Sequence, residues 1–277
     1  MTIFSDKGIS LFYRSYGEGE PVLLVHGLGC SGADWAFQIP ALQTLFRCIV
    51  PDLPGCGLSP RPKSGYSIAG AASLLWSLLT DLMIVRVNIV GFSMGGAIAL
   101  EMALQNPTRV SRLALINTLA SYHDNWHKWV YARISAALVR LFGMRHAASI
   151  FALGLFPEPW QKPIRERAAV ELATVPARDY LEMSDALEQW TMTKRLNLIQ
   201  SRILLIAAEH DHTPVSEQMF LAARLHANIV VVRGSRHGTP FDASAATNAC
   251  LLALLTDQPL PHYDQLTCDT TVGTYCI

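Results

Sequence analysis

The stretch Gly91-Phe92-Ser93-Met94-Gly95-Gly96 constrains this chain more than any other. It follows an apolar run suited to a buried strand, Val85 to Val90, and leads into an apolar helical run, Ala97 to Leu104. A G-x-S-x-G between a strand and a helix makes a turn so tight that the serine backbone is strained and its hydroxyl stands proud of the sheet. Small residues are needed beside it. Gly91 and Gly95 meet that need, and Gly96 lets the helix sit close to the strand. Ser93 is therefore a candidate nucleophile. The bland alternative is a glycine-rich turn with an incidental serine, and the rest of the chain must decide between them.

The flanking elements alternate. Strands are expected at Ile9 to Tyr16, Val22 to Val25, Cys48 to Val50, Val110 to Asn117, Ile203 to Ala208 and Ile229 to Val232. Helices are expected at Trp35 to Leu45, Ser67 to Leu82, Ser216 to Leu225 and Ala243 to Leu255, and Pro107 stops the helix after Ser93. Such alternation implies an α/β fold, a mostly parallel sheet with helices on both faces. Leu119 to Leu196 breaks the rhythm. It has no convincing β run, it holds Trp126, Trp129, Trp160 and Trp190, and it shows helical patches at Trp129 to Phe142 and Ile164 to Val175. The expected organisation is a core of residues 1–118 and 197–256, a helical cap of 119–196, and a polar tail of 257–277 that is loosely attached.

Composition narrows the partners. Over 277 residues, 51% are hydrophobic and 16% charged, enough for a large core. The formal net charge is +0, with no basic block to bind nucleic acid. No run of 18 uninterrupted apolar residues suggests a membrane span. Met1 to Ser10 lacks the basic and apolar regions of a signal peptide. Cys30, Cys48, Cys56, Cys250, Cys268 and Cys276 show no metal-ligand spacing, so free thiols in a reducing cytoplasm are the simplest reading, with Cys268 and Cys276 able to pair. Neither a dinucleotide fingerprint nor a P-loop is present, so a small-molecule substrate and no metal or organic cofactor are expected.

A serine hydroxyl needs a base, the base needs an orienting acid, and the developing oxyanion needs donors. In an open α/β sheet these partners belong in loops beyond the carboxyl ends of strands. The base candidate is His237, in Gly234-Ser235-Arg236-His237-Gly238 after the last strand. The acid candidate is Asp211, in Glu209-His210-Asp211-His212-Thr213-Pro214, with Glu209 as near competitor and Asp242 and Asp124 as remote ones. The end of the strand after Ser93 offers Asn117, which cannot supply a charge. Backbone N–H groups of Met94 and of Leu28, in His26-Gly27-Leu28-Gly29, are the oxyanion candidates. His26 reads as a brace between loops and Asp52 as a tie near the site. The Cys56 thiol falls in a loop near the site. Trp35, Trp126 and Trp129 are candidates for substrate contact, with plain packing as the safer reading of any one of them.

From Ile9 to Leu255 these motifs resemble the α/β-hydrolase superfamily, above all its single-domain enzymes with a helical cap after the sixth strand. The resemblance rests on His26-Gly27 with Trp35, Asp52-Leu53-Pro54-Gly55-Cys56-Gly57, Gly91 to Gly96, Asp211 with Pro214, and Gly234 to His237. It implies an eight-stranded sheet and a Ser93–His237–Asp211 triad. It also implies a serine hydrolase cleaving a small or medium, largely apolar ester or lactone through an acyl-enzyme. The same triad serves thioesterases, carbon–carbon bond hydrolases and cofactor-free perhydrolases, and some relatives on this fold act as ligand-binding receptors. Members that are haloalkane dehalogenases or epoxide hydrolases use Asp as nucleophile, and Ser93 argues against both. One departure is Cys56, where members often carry His.

Overall fold

Eight short runs rich in β-branched and apolar residues become strands: β1 (Thr2–Asp6), β2 (Ile9–Tyr16), β3 (Glu20–Val25), β4 (Phe46–Pro51), β5 (Val87–Phe92), β6 (Val110–Ile116), β7 (Arg202–Ala208) and β8 (Asn228–Val232). The computed structural model describes residues 2–6, 8–62, 65–122, 126–262 and 266–269, with the side chains of 126–128 outside the description. The strands form one sheet in the order β1-β2-β4-β3-β5-β6-β7-β8. The pairs β1–β2 and β2–β4 are antiparallel and the others parallel. β1 is the strand the sequence reading did not anticipate; it adds to the antiparallel edge, where Ile3 stays exposed.

Alternation along each strand divides the core into two layers. Leu23, Ile49, Ile89 and Leu113 face a layer built with α2 (Ile68–Asp81) and α3 (Met94–Gln105). Their neighbours Val22, Leu24, Val50, Val90 and Ile116 face the other layer, with α1 (Ile39–Leu42) and α9 (Ser244–Leu255). Helices thus cover both faces, as a parallel sheet requires. The expected single helix from Trp35 to Leu45 is instead a 3₁₀ segment, Gly32–Phe37, followed by α1. Pro40 explains the break: it fits only the first turn of a helix, so a new helix begins there.

Between β6 and β7 lie α4 (Trp126–Leu155), α5 (Lys162–Thr174) and α6 (Ala177–Gln189), and no named strand among the described residues. Gly143, at φ 73° and ψ 163°, breaks α4 into two limbs. The ends of this insertion meet: Met192 N donates to Ala120 O at 2.7 Å, and Trp190 Nε1 donates to Glu101 Oε2 on α3 at 3.1 Å. After β7 come α7 (Val215–Arg224), β8, the short α8 (Thr239–Asp242) and α9. The tail is not loosely attached over residues 266–269. Leu266 is buried, Arg233 N donates to its carbonyl at 2.8 Å, and Cys268 N donates to Arg233 O at 3.0 Å. An isolated bridge, Arg233 to Thr267, seals it beside the end of β8.

Candidate active site

The site collects at the carboxyl ends of β3, β5, β7 and β8, where loops are free of sheet pairing. Ser93 sits between β5 and α3 at φ 54°, ψ −118°, a strained conformation for a residue with a side chain. The turn is tolerated because Gly91, two residues before Ser93, and Gly95 and Gly96, two and three after it, have no side chain. A Cβ on Gly95 would strike the Val25 and His26 carbonyl oxygens, and one on Gly96 would meet the Thr118 side chain at 2.6 Å. The Met94 N–H opens α3 and so lacks an intrahelical acceptor. Leu28 lines the same cavity as Ser93.

Three side chains from separate loops form a chain of hydrogen bonds. Ser93 Oγ lies 2.9 Å from His237 Nε2, and His237 Nδ1 lies 2.9 Å from Asp211 Oδ1. The Asp211 carboxylate is fully buried. Burial pushes its carboxyl up, but the His237 charge and hydrogen bonds from His212 and His237 outweigh burial and hold it below the usual carboxylate range. His237 is placed by its own loop. Asn117 Nδ2 donates to the His237 carbonyl at 2.8 Å and to Thr239 Oγ1 at 2.6 Å.

The Ser93–His237 end opens into a cavity of about 190 Å³. Its walls are mostly apolar, with Leu28, Phe92, Phe151, Phe156, Leu172 and Phe241 among them. Phe151 comes from α4 and Leu172 from α5, so the insertion closes the cavity over the sheet. One wall is polar, with Asp34, Arg167 and Glu171. Burial and the adjoining Glu171 push the Asp34 carboxyl well up. Arg167 Nε donates to Glu171 Oε1 at 2.9 Å.

A family model described as the alpha/beta hydrolase fold matches residues 20–237. The chain belongs to the α/β-hydrolase family. It is 32% identical over 210 residues to a protein of Variovorax paradoxus named as a carbamate hydrolase, RutD, covering 73% of this chain and 78% of that one. An uncharacterized Mycobacterium tuberculosis protein, Rv2715, is 41% identical over 105 residues; the match takes in 38% of this chain and spans only 31% of that relative's length. Among solved structures, Est816, described as an N-acyl homoserine lactone degrading enzyme, superposes with a TM-score of 0.77 at 26% identity, over 90% of this chain and 98% of that one.

In this α/β hydrolase, several neighbouring residues have places the sequence reading expected and others do not. His26 is a fully buried brace: its Nδ1 lies 2.9 Å from Gly27 O, and its Nε2 accepts from Leu53 N at 2.9 Å. Burial pushes its pKa down to about 4, so it stays neutral and can accept. Asp52 accepts from Gly32 N and Leu58 N at 2.8 Å each, tying two loops. Cys56 is no reactive thiol. Burial pushes it up, and its Sγ faces Met183 Sδ at 3.6 Å.

The tryptophans are the corrections. Trp35 is buried in the core layer of α1 and α9 and does not line the cavity, because its 3₁₀ segment turns it toward Val22 and Leu24. Trp129 is exposed on α4, with Arg133 Cζ 5.4 Å from its ring centre, away from the cavity. The Trp126 side chain lies outside the described residues.

What the sequence reading missed is a second histidine. His212 Nδ1 also lies 2.9 Å from Asp211 Oδ1, its ring is 4.2 Å from that of His237, and Tyr131 of α4 stacks on it at 5.2 Å. Position beside Asp211 was the only signal for it. The donor atoms of Asp211, His212 and His237 have a metal-like spacing, and their two imidazole–carboxylate hydrogen bonds account for it without an ion.

Proposed function

We propose that this hydrolase cleaves a small or medium, largely apolar carboxylic ester or lactone through an acyl-enzyme at Ser93. The observation that carries the reading is the unbroken 2.9 Å relay from Ser93 to His237 to Asp211 at the mouth of an apolar cavity. His237 Nε2 takes the Ser93 proton as Oγ attacks the carbonyl carbon. The oxyanion is held by the Leu28 and Met94 N–H groups, each donor supplying about 3 kcal/mol by analogy with measured oxyanion holes. Asp211 fixes the His237 tautomer with Nδ1–H inward and stabilises the imidazolium that forms. His237 then gives the proton to the departing alkoxide, and a water activated by the same imidazole releases the acid and restores Ser93.

The lactone-degrading neighbour supports an ester-type carbonyl, and the relative named as a carbamate hydrolase keeps carbamate esters in the test panel. The experiment is turnover of p-nitrophenyl esters, lactones, thioesters, carbamates and vinylogous diketones by the wild type and by Ser93→Ala, with adduct mapping after a fluorophosphonate probe. Ester or lactone turnover, lost by about 10³-fold or more in Ser93→Ala, is expected. Full activity in that variant would overturn the nucleophile. Labelling of Ser93 without turnover of any ester or lactone would overturn the reaction.

A further inference from the structure

α4 poses a packing problem that its role as a cavity wall does not solve. A helix that is apolar on all sides is normally enclosed on all sides. The inner side of α4 is enclosed: Ala136, Val139, Met144, Ala147, Ala148 and Ala152 are buried. Its outer side is not. Trp129, Ile134, Leu141, Phe142, Ile150 and Leu153 are exposed, Leu141 by 75% and Phe142 by 58%. With Tyr131 they make seven of the sixteen exposed large apolar side chains among the described residues, gathered in one helix of 30 residues. Such a concentration marks an interaction surface.

Charge indicates what covers it. Between Trp126 and Leu155 the sequence has four cationic side chains, Lys128, Arg133, Arg140 and Arg145, and no Asp or Glu, in a chain of formal net charge +0. Glu188 of α6 lies 4.0 Å from Arg133, while Arg140 and Arg145 flank Leu141 and Phe142 on the exposed side. A second copy docked about a two-fold axis through this patch would set these arginines against their own counterparts, which is repulsive. By length and composition the stretch Trp129–Leu155 could cross a membrane, but its inner side is built into the cap and Gly143 bends it into two limbs.

We propose that the outer face of α4 docks on the surface of a bilayer rich in anionic lipid. Leu141 and Phe142 enter the acyl boundary, and Arg140 and Arg145 meet lipid phosphates. Neither the fit nor its test depends on the reaction at Ser93.

The test is co-sedimentation of the full chain with vesicles of phosphatidylcholine containing phosphatidylglycerol, against pure phosphatidylcholine, at low and high salt. Binding to the anionic vesicles about tenfold or more above the neutral ones, weakened by salt, is expected. The variant L141E/F142E loses it while its circular dichroism and melting curve stay those of the wild type, and R140A/R145A loses the preference for anionic lipid. Equal or absent binding to the two vesicle types, or undiminished binding of L141E/F142E, would overturn the proposal. So would light scattering that finds a wild-type dimer which L141E/F142E turns into monomers, since the face would then pair two copies.

Discussion

The geometry of the proposed Ser93–His237–Asp211 triad also depends on residues that carry no charge. Asn117 stands at the end of β6, at φ 48°, where an acid would also have been within reach of the site. It serves by donation instead, holding the His237 carbonyl and Thr239 Oγ1. Asn117→Ala removes both bonds without touching Ser93, His237 or Asp211. The expected result is a fall in kcat of about 10- to 100-fold with little change in KM, because a small displacement of the base costs rate more than binding. Steady-state kinetics on the best ester of the panel checks it, and an unchanged kcat would show that the loop needs no such brace. Gly95 is the opposite case, a residue defined by the side chain it lacks. Gly95→Ala drives a methyl into two backbone carbonyls that cannot move, so loss of soluble folded protein is expected on expression.

The insertion and the base loop meet at one tight contact. Phe156, at the end of α4, is buried against Phe241, ring centres 6.0 Å apart, and a Cβ on Gly238 would strike its ring edge. Gly238→Ala therefore pushes the insertion away from the residue next to His237. Overpacking of this kind costs about 1–3 kcal/mol. The melting temperature and kcat/KM should both fall, and Phe156→Leu in the same chain should restore most of each by making room. Additive losses in the double variant would show that the two residues do not press on one another. None of this contact was legible in the sequence, although much else was. The strands from Ile9 to Val232 were readable because period and β-branching are local properties, and the order Ser93, Asp211, His237 followed from the loops after them. Trp35 misled because a tryptophan beside a glycine loop looks the same whether it faces a cavity or a core. His212 was invisible as a partner of Asp211 because side-chain direction in a loop is set by what packs on it, here Tyr131 from α4. The tail from Leu266 to Asp269 has no periodicity, and only its backbone bonds to Arg233 and Asp242 give it a place.

Those same bonds make Asp242 a junction of the whole molecule. Its Oδ1 accepts from Ser235 Oγ of the base loop at 2.7 Å, its Oδ2 accepts from Gln161 Nε2 of the insertion at 3.2 Å, and its backbone carbonyl accepts from Asp269 N of the tail at 2.6 Å. Burial pushes its carboxyl up to about 7, against the lowering by Ser235 and the Arg236 backbone and with the help of the Asp269 charge. The folded chain thus holds a proton at Asp242 between about pH 4 and pH 7 that the unfolded chain has released. Where the folded state binds more protons, stability falls as pH rises, so this group weakens the fold across that window and its penalty is complete above pH 7. Asp211 acts in a separate window. Its carboxyl is held low, so its contribution is present above the unfolded value near 4 and is lost only as pH falls below that. Asp242→Asn cannot ionise, and its Nδ2 cannot accept, so one of the hydrogen bonds donated by Ser235 and Gln161 loses its acceptor and the variant is less stable than the wild type at pH 5. Between pH 5 and pH 8 the wild type alone takes on the ionisation cost, on the order of 2 kcal/mol for a shift of this size. Urea unfolding of both proteins at the two pH values should show the gap closing by about that amount as pH rises. Parallel pH curves would mean that Asp242 is already ionised in the folded protein at pH 5.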